Sequence, residues 1–332
     1  MRYLITGGSG YIGGRLATIL AAREETELIV NLDVRAPAAM PPRSEFVQGD
    51  VRDRELVRRL LAAREIDCLV HLAFLLNPIH DEARMYDIDV NGTQAVLQAA
   101  SDAGTAQLLV ASSASAYGAW PDNPVPIAED WPVRGMPDFS YARHKAEMDR
   151  LCQLWAADHP DRVMTIVRPC IVLSPNVDNF ISRIWTEAPL AVIVDGVDQD
   201  FQFVHEDDVV DAMVALIDAK LDGAFNVAGD GTLAYRESAE MIGQRVREMK
   251  LSTALRIYKT LWALHFPGVE APGGVVKTVR YPWIVSNEKL KAATGWEPRY
   301  TTREAFEVTM RAKGKLQGQE DTASVATLGA EG

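Results

Sequence analysis

A glycine-rich turn close to the start of the chain constrains the fold more than any other feature. Thr6-Gly7-Gly8-Ser9-Gly10-Tyr11-Ile12-Gly13 separates a short apolar strand, Arg2 to Thr6, from a helical pattern through Leu16, Ile19 and Leu20. Gly7 permits the tight turn, Gly10 lets the backbone approach a pyrophosphate, and Gly13 lets the helix close on the strand. The helix start offers free N–H groups and the positive end of its dipole to phosphates, with Tyr11 and Ile12 beside them. Leu28 to Asp33 is a second apolar strand that ends in an acid, at the spacing where a carboxylate meets the ribose of a dinucleotide. Asp33 can hold both ribose hydroxyls and repels a 2′-phosphate, which favours NAD over NADP. Arg35 could instead pair with a 2′-phosphate, and Asp33 is weighed above it.

Strands and helices then alternate. Glu45 to Gln48, Cys68 to Ala73, Leu108 to Ala111 and Val163 to Val167 read as strands, and Arg54 to Arg64, Arg84 to Ala103 and Phe139 to Ala157 as helices. That order specifies an α/β Rossmann fold, a doubly wound parallel sheet. Beyond Pro169, Phe201 to His205 and Ala224 to Val227 read as strands around a helix from Asp208 to Ile217. The expected organisation is an NAD-binding domain over 1–175 to which 201–228 returns. A smaller substrate-binding lobe takes 176–200 and 229–312, and 313–332 is a polar, flexible tail. The net charge of −12 argues against nucleic acid and anionic membranes as partners, and no apolar run reaches spanning length. The N-terminus lacks a signal-peptide pattern. Cys68, Cys152 and Cys170 lie in apolar runs without metal spacing, so no metal is expected and a reducing cytoplasm is the expected location.

Two further segments extend the dinucleotide site. Asp50-Val51 follows the third strand, where a carboxylate can meet an adenine amino group, and Leu72-Ala73-Phe74 ends the fourth. The chemistry is expected from Tyr141 and Lys145, which share one helix face at i,i+4. A lysine cation beside a phenol stabilises the phenolate. A tyrosine so tuned can move the proton of a carbinol while hydride goes to or from a nicotinamide. Ser112 to Gly118 follows the fifth strand at the carboxyl edge of the sheet, where such folds place ligands. A serine there can position the substrate oxygen.

These motifs together resemble the NAD-dependent epimerase/dehydratase group of extended short-chain dehydrogenases/reductases, over about residues 1–312. TGGSGYIG, GDVRD, HLAF, DVNGT, SSASAYG, YARHK, Arg168-Pro169, FVHEDD and FNVAG occur in that group's order. The resemblance implies Ser113, Tyr141 and Lys145 as the catalytic set, with Lys145 also on the nicotinamide ribose. It places Asn91 and Pro169 on the cofactor side, and Leu75, Ser115, Tyr117 and Asn179 with Ser113 and Tyr141 on the substrate side. It gives His205 and Asp208 the lobe junction and Arg168 a packing role. It also implies a homodimer through the helices at 84–103 and 139–157.

Within that group the chain resembles the UDP-glucose 4-epimerase-like subgroup, which implies a nucleotide-sugar 4-epimerase. Typical members carry an asparagine at the position of Ile171 and an arginine at that of Phe201. Phe74, Leu75 and Leu76 add apolar surface beside the nicotinamide end. The alternative is therefore a dehydrogenase or reductase of a less polar alcohol or ketone, sterol-like or a secondary metabolite. Ala114 and Ser115 replace the acidic pair of the group's dehydratases, which argues against sugar 4,6-dehydration. A non-catalytic NAD sensor is a third reading, opposed by the complete catalytic set.

Overall fold

The structure, a computed structural model, describes residues 1–316. Its strands are β1 (Arg2–Thr6), β2 (Leu28–Asp33), β3 (Ser44–Gln48), β4 (Cys68–His71), β5 (Gln107–Ala111), β6 (Val163–Pro169), β7 (Ile171–Leu173), β8 (Leu190–Val194), β9 (Asp200–Phe201), β10 (Phe203–His205), β11 (Gly223–Val227), β12 (Leu233–Ala234) and β13 (Arg245–Met249). The α-helices are α1 (Tyr11–Ala21), α2 (Arg54–Ala63), α3 (Glu82–Tyr86), α4 (Gly92–Ala103), α5 (Ser140–Asp158), α6 (Arg183–Thr186), α7 (Glu206–Ala219), α8 (Tyr235–Met241), α9 (Leu251–Ala263), α10 (Glu288–Thr294) and α11 (Thr302–Ala312).

Seven strands form one parallel sheet in the order β11-β6-β5-β4-β1-β2-β3. Its central strands are covered on both faces, so Leu4, Ile5, Leu69 and Val70 are all buried, as continuous apolar strands require. The order reverses between β1 and β4, and the crevice above that point is where the fold can hold a ligand. Helix ends follow local chemistry. The Asp53 carboxylate accepts from Leu56 N at the start of α2, Thr301 and Glu304 form a capping box on α11, and Gly104 ends α4 in the left-handed region.

Two expected elements are broken in instructive ways. The helix expected over Arg84 to Ala103 is α3, a π-turn at Asp87–Asn91, and α4. The wider turn adds a residue locally and changes which side chain points inward. The strand expected over Phe201 to His205 divides at Gln202. Phe201 pairs with Leu233 in an antiparallel ribbon, while Phe203–His205 runs parallel to Ile171–Leu173. The Gln202 amide meanwhile bonds both backbone groups of Val285.

The segments outside the sheet build a lobe around Trp185, against which Phe201, Phe203, Tyr235 and Phe306 stand edge-on. In it β8 runs parallel to β13, and α9 covers their outer side. α10 and α11 return to the sheet. Lys289 Nζ donates to Ala224 O on β11, and Trp296 Nε1 donates to Asp208 O on α7. At the junction the Asp208 carboxylate accepts from the backbone of Arg299 and Tyr300, and the His205 ring lies on Tyr300. Lys313 to Leu316 form a turn against α11. The rest of the expected tail, 317–332, lies outside the described residues.

Candidate active site

The loops leaving β1 and β4 touch at the reversal point. Gly7 has φ +72°, and a Cβ added to it would stand 2.7 Å from Ala73 N. A Cβ added to Gly13 would stand 2.3 Å from Gly7 O. Only glycine lets the turn fold flat and α1 close on it, which leaves the backbone cradle open to a pyrophosphate. Beside it, the Asp33 carboxylate accepts from Ser9 N at 3.1 Å and Arg35 N at 3.0 Å. An acid held there faces the ribose position and suits NAD. These residues fit the dinucleotide.

A cleft of about 530 Å³ runs from this cradle towards the lobe, within the usual size range of small-molecule sites. Gly7, Gly10, Tyr11, Ile12 and Arg35 line its cradle end, and Leu72, Phe74 and Pro169 its middle. Ser113, Ser115, Tyr141 and Lys145 line the catalytic part, with Leu75 and Asn179 beyond. The remaining wall is largely apolar, from Leu76, Ile79, Ile171, Ile181 and Trp283, with Asn77 and Asp178 as polar members. Ala73 lies behind Gly7. Asp50 and Val51 stand outside this lining. The Asp50 carboxylate is held at 2.6 Å by Arg52, which also reaches Asp87, and Val51 is buried.

Ser113 caps a 3₁₀ turn at Ala114–Tyr117, its Oγ accepting from Ser115 N. Three residues per turn separate the faces of this segment. Ser113 and Ser115 open to the cleft, whereas Tyr117 is fully buried beneath it. Its hydroxyl donates to Asn226 Oδ1 at 2.9 Å and accepts from Arg168 at 2.7 Å. The expectation that Tyr117 binds substrate is therefore corrected. Arg168 itself makes a two-pronged ion pair with Asp149, at 2.8 and 2.9 Å, that also receives the Ser112 hydroxyl.

Asn91 is corrected too. It is exposed, and its amide turns back to Asp87. The π-turn points Asp89 inward instead. The Asp89 side chain is fully buried; Oδ1 accepts from Leu75 N at 2.8 Å and Oδ2 lies 3.0 Å from His144 Nδ1. It thus ties the loop after β4 to the helix that carries Tyr141 and Lys145. The motif reading passed over Asp89 in favour of Asn91. Met85, Asp89 and Thr93 recur at i,i+4 on one buried stripe, and this spacing would have found it.

Lys145 does not reach Tyr141 in the expected way. Its ammonium donates to Ala111 O at 2.7 Å and lies 3.7 Å from the centre of the Phe74 ring. Phe74 also meets Tyr141 edge-on. Burial pushes Tyr141 up to about 12, the Ser113 hydroxyl pulling the other way and the Asp89 charge adding to the rise. Burial pulls Lys145 down to about 8, opposed chiefly by Asp89. Both side chains line the cleft, and the ammonium's partners are the Ala111 carbonyl and the Phe74 ring.

Among the described residues, no cluster of three or more His, Cys, Asp or Glu could hold a metal, and no helix is long and apolar enough to cross a membrane. Cys68, Cys152 and Cys170 are buried and free.

A family model described as the NAD dependent epimerase/dehydratase family matches residues 3–228. An uncharacterised protein of Mycobacterium tuberculosis is 25% identical over 318 residues, covering 94% of this chain and 84% of that protein. The UDP-glucose 4-epimerase of Streptomyces lividans is 32% identical over 163 residues, 48% of each chain. Among solved structures, the UDP-glucose 4-epimerase of Thermus thermophilus in complex with NAD superposes with a TM-score of 0.71 at 22% identity, over 95% of this chain and 99% of that one. The dTDP-glucose 4,6-dehydratase of Streptomyces venezuelae with NAD bound gives 0.70 at 21% identity, over 94% and 96%. These structural likenesses establish the shared fold.

Proposed function

Because the chain belongs to the NAD dependent epimerase/dehydratase family, we propose that it exchanges a hydride between NAD and a secondary carbinol or its ketone. The observation that carries this is the convergence of Ser113 and Tyr141 on the cleft that begins at the glycine cradle. Gly7, Gly10, Tyr11 and Ile12 would hold the pyrophosphate, Asp33 the adenosine ribose, and Lys145 the nicotinamide ribose. Bound NAD supplies the hydride acceptor. Ser113 donates to the substrate oxygen and Tyr141 gives or takes its proton. A Tyr141→Phe variant should lose about 10²–10⁴-fold in kcat with NAD affinity unchanged. Full activity in that variant would sink the acid–base assignment.

For the substrate, the geometry favours a less polar alcohol or ketone. The far wall of the cleft is mostly apolar, its polar groups there being Asn77, Asp178 and Asn179, and Arg35 and Lys145 are the cations lining the cleft. Three cations of the lobe are already paired: Arg183 with Asp178 and Glu270, Lys277 with Asp138, Arg280 with Asp195. Phe201, where the 4-epimerase resemblance implies an arginine, is buried against Trp185. A nucleotide-sugar 4-epimerase is the second reading, supported by similarity to the named 4-epimerases. The two separate on the NAD-loaded protein. Steady NADH release from hydrophobic secondary alcohols supports the first. Retained NAD and isomerised UDP-sugar without net NADH supports the second.

We also propose a cytoplasmic homodimer through α4 and α5, on which Leu154 is 64% exposed. Light scattering at micromolar concentration should give twice the chain mass; a monomer would rule this out.

A further inference from the structure

The net charge of −12 describes the whole chain and hides a region of opposite character. No Asp or Glu stands between Glu248 and Glu270, while Lys250, Arg256 and Lys259 fall in that interval, all exposed. The neighbouring cations Lys277 and Arg280 are paired to carboxylates. By contrast, among the described residues Lys250, Arg256 and Lys259 form no ion pair. The same stretch exposes Ile257 at 40%, Leu264 at 71% and Phe266 at 54%. The exposed positions of α9 and its end, Thr253, Arg256, Ile257, Thr260 and Leu264, recur at helical spacing and share a face. Ala254, Leu255 and Tyr258 turn the other way, onto Val194, Val276 and Met249.

We propose that α9 and the Leu264–Phe266 tip that follows it form a docking surface for an anionic lipid bilayer. Unpaired cations beside exposed apolar side chains match such a surface: the cations meet the headgroups while the tip enters the acyl boundary. A few large side chains suffice for that. In a two-fold pair of copies the same patch would face itself and bring these unpaired cations together, where like charges repel, which favours an anionic bilayer over a second copy. The position also relates this face to the cleft. The His80 ring stacks on Trp262 at 3.8 Å and lies 3.7 Å from the His265 ring. Leu76 and Ile79, just before it, line the cleft, so the docking face adjoins the cleft mouth. The whole-chain charge that argued against anionic membranes is outweighed at contact distance, since screening confines each charge to about 8–10 Å.

The inference stands apart from the substrate reading, because vesicle binding needs no turnover. The full-length, NAD-loaded protein is sedimented with vesicles of phosphatidylcholine alone, or of equal parts phosphatidylcholine and phosphatidylglycerol. It should bind the mixed vesicles, stay free of the neutral ones, and leave the mixed ones at about 0.5 M salt. Arg256→Glu with Lys259→Glu should weaken binding by about tenfold or more. Leu264→Ser with Phe266→Ser should do so by a similar factor. Both double variants should keep the parent's melting temperature, since neither side-chain pair is buried. Absence of binding to mixed vesicles at low salt, or binding unchanged by both double variants, would overturn the proposal. So would light scattering in which these substitutions dissociate a homodimer, because the face would then belong to a second copy.

Discussion

The Asp89 carboxylate is buried without an arginine or lysine bonded to it, and it fixes two groups at once. Burial pushes it above its ordinary carboxylate range, and the His144 ring and the Leu75 amide pull it back. Its hydrogen bonds can be separated from its charge. In Asp89→Asn the amide oxygen still accepts from Leu75 N, and the His144 ring can change tautomer to meet the amide. In Asp89→Ala both partners are left buried and unmatched, at a cost of about 2–4 kcal/mol. Thermal melting should therefore place Asp89→Asn within about 1 kcal/mol of the parent and Asp89→Ala well below it. In activity, Asp89→Ala should raise KM more than it lowers kcat, because Leu75 belongs to the wall of the cleft. Equal losses from the two variants would mean that the charge, and not the positioning, is what matters.

At the scale of elements, two adjacent glycines of α1 give a sharp contrast. A Cβ on Gly13 would meet the Gly7 carbonyl at 2.3 Å, whereas one on Gly14 would find Gly8 O at 3.7 Å, an ordinary contact. Backbone cannot move aside as a side chain can. Gly13→Ala should push α1 off the turn, cost about 1–3 kcal/mol, and weaken NAD binding by about tenfold or more in a calorimetric titration. Gly14→Ala should bind NAD like the parent and gain up to about 1 kcal/mol from helix propensity. The same response from both would refute the close-approach account. The spacing of Gly7, Gly10 and Gly13 was legible because backbone geometry demands glycine there, and apolar runs ending in polar residues marked the parallel strands. The π-turn was not legible. Asp87 to Asn91 reads as ordinary helix, and the extra residue of the π-turn leaves no compositional trace, although the i,i+4 stripe with Met85 and Thr93 marks Asp89 as inward. Tyr117 was misplaced for the same reason, since a serine-rich segment does not announce a 3₁₀ turn. Nor could i,i+4 spacing reveal that Phe74, on a loop from another strand, takes up the Lys145 ammonium and meets Tyr141 edge-on.

For the whole molecule, Lys145 sets the site against stability. Burial pulls its ammonium from 10.5 down to about 8, so between those values the unfolded chain binds a proton that the folded chain does not. Stability then rises with pH across that window, and the cost is present in full below about pH 8. Lys145→Met removes the cost together with the bond to Ala111 O. With NAD stripped from both proteins, since ligand would stabilise them unequally, the variant should be more stable by about 1–3 kcal/mol at pH 7. That corresponds to a melting temperature a few degrees higher. The gain should shrink as pH climbs from about 8 towards 10.5 and vanish above it, because the unfolded lysine then loses its proton as well. A methionine variant less stable than the parent at pH 7, or a gain indifferent to pH, would show that the Ala111 bond and the Phe74 contact outweigh desolvation. The expected pattern, a firmer fold in a protein that no longer turns over, identifies Lys145 as retained for its chemistry at the expense of stability.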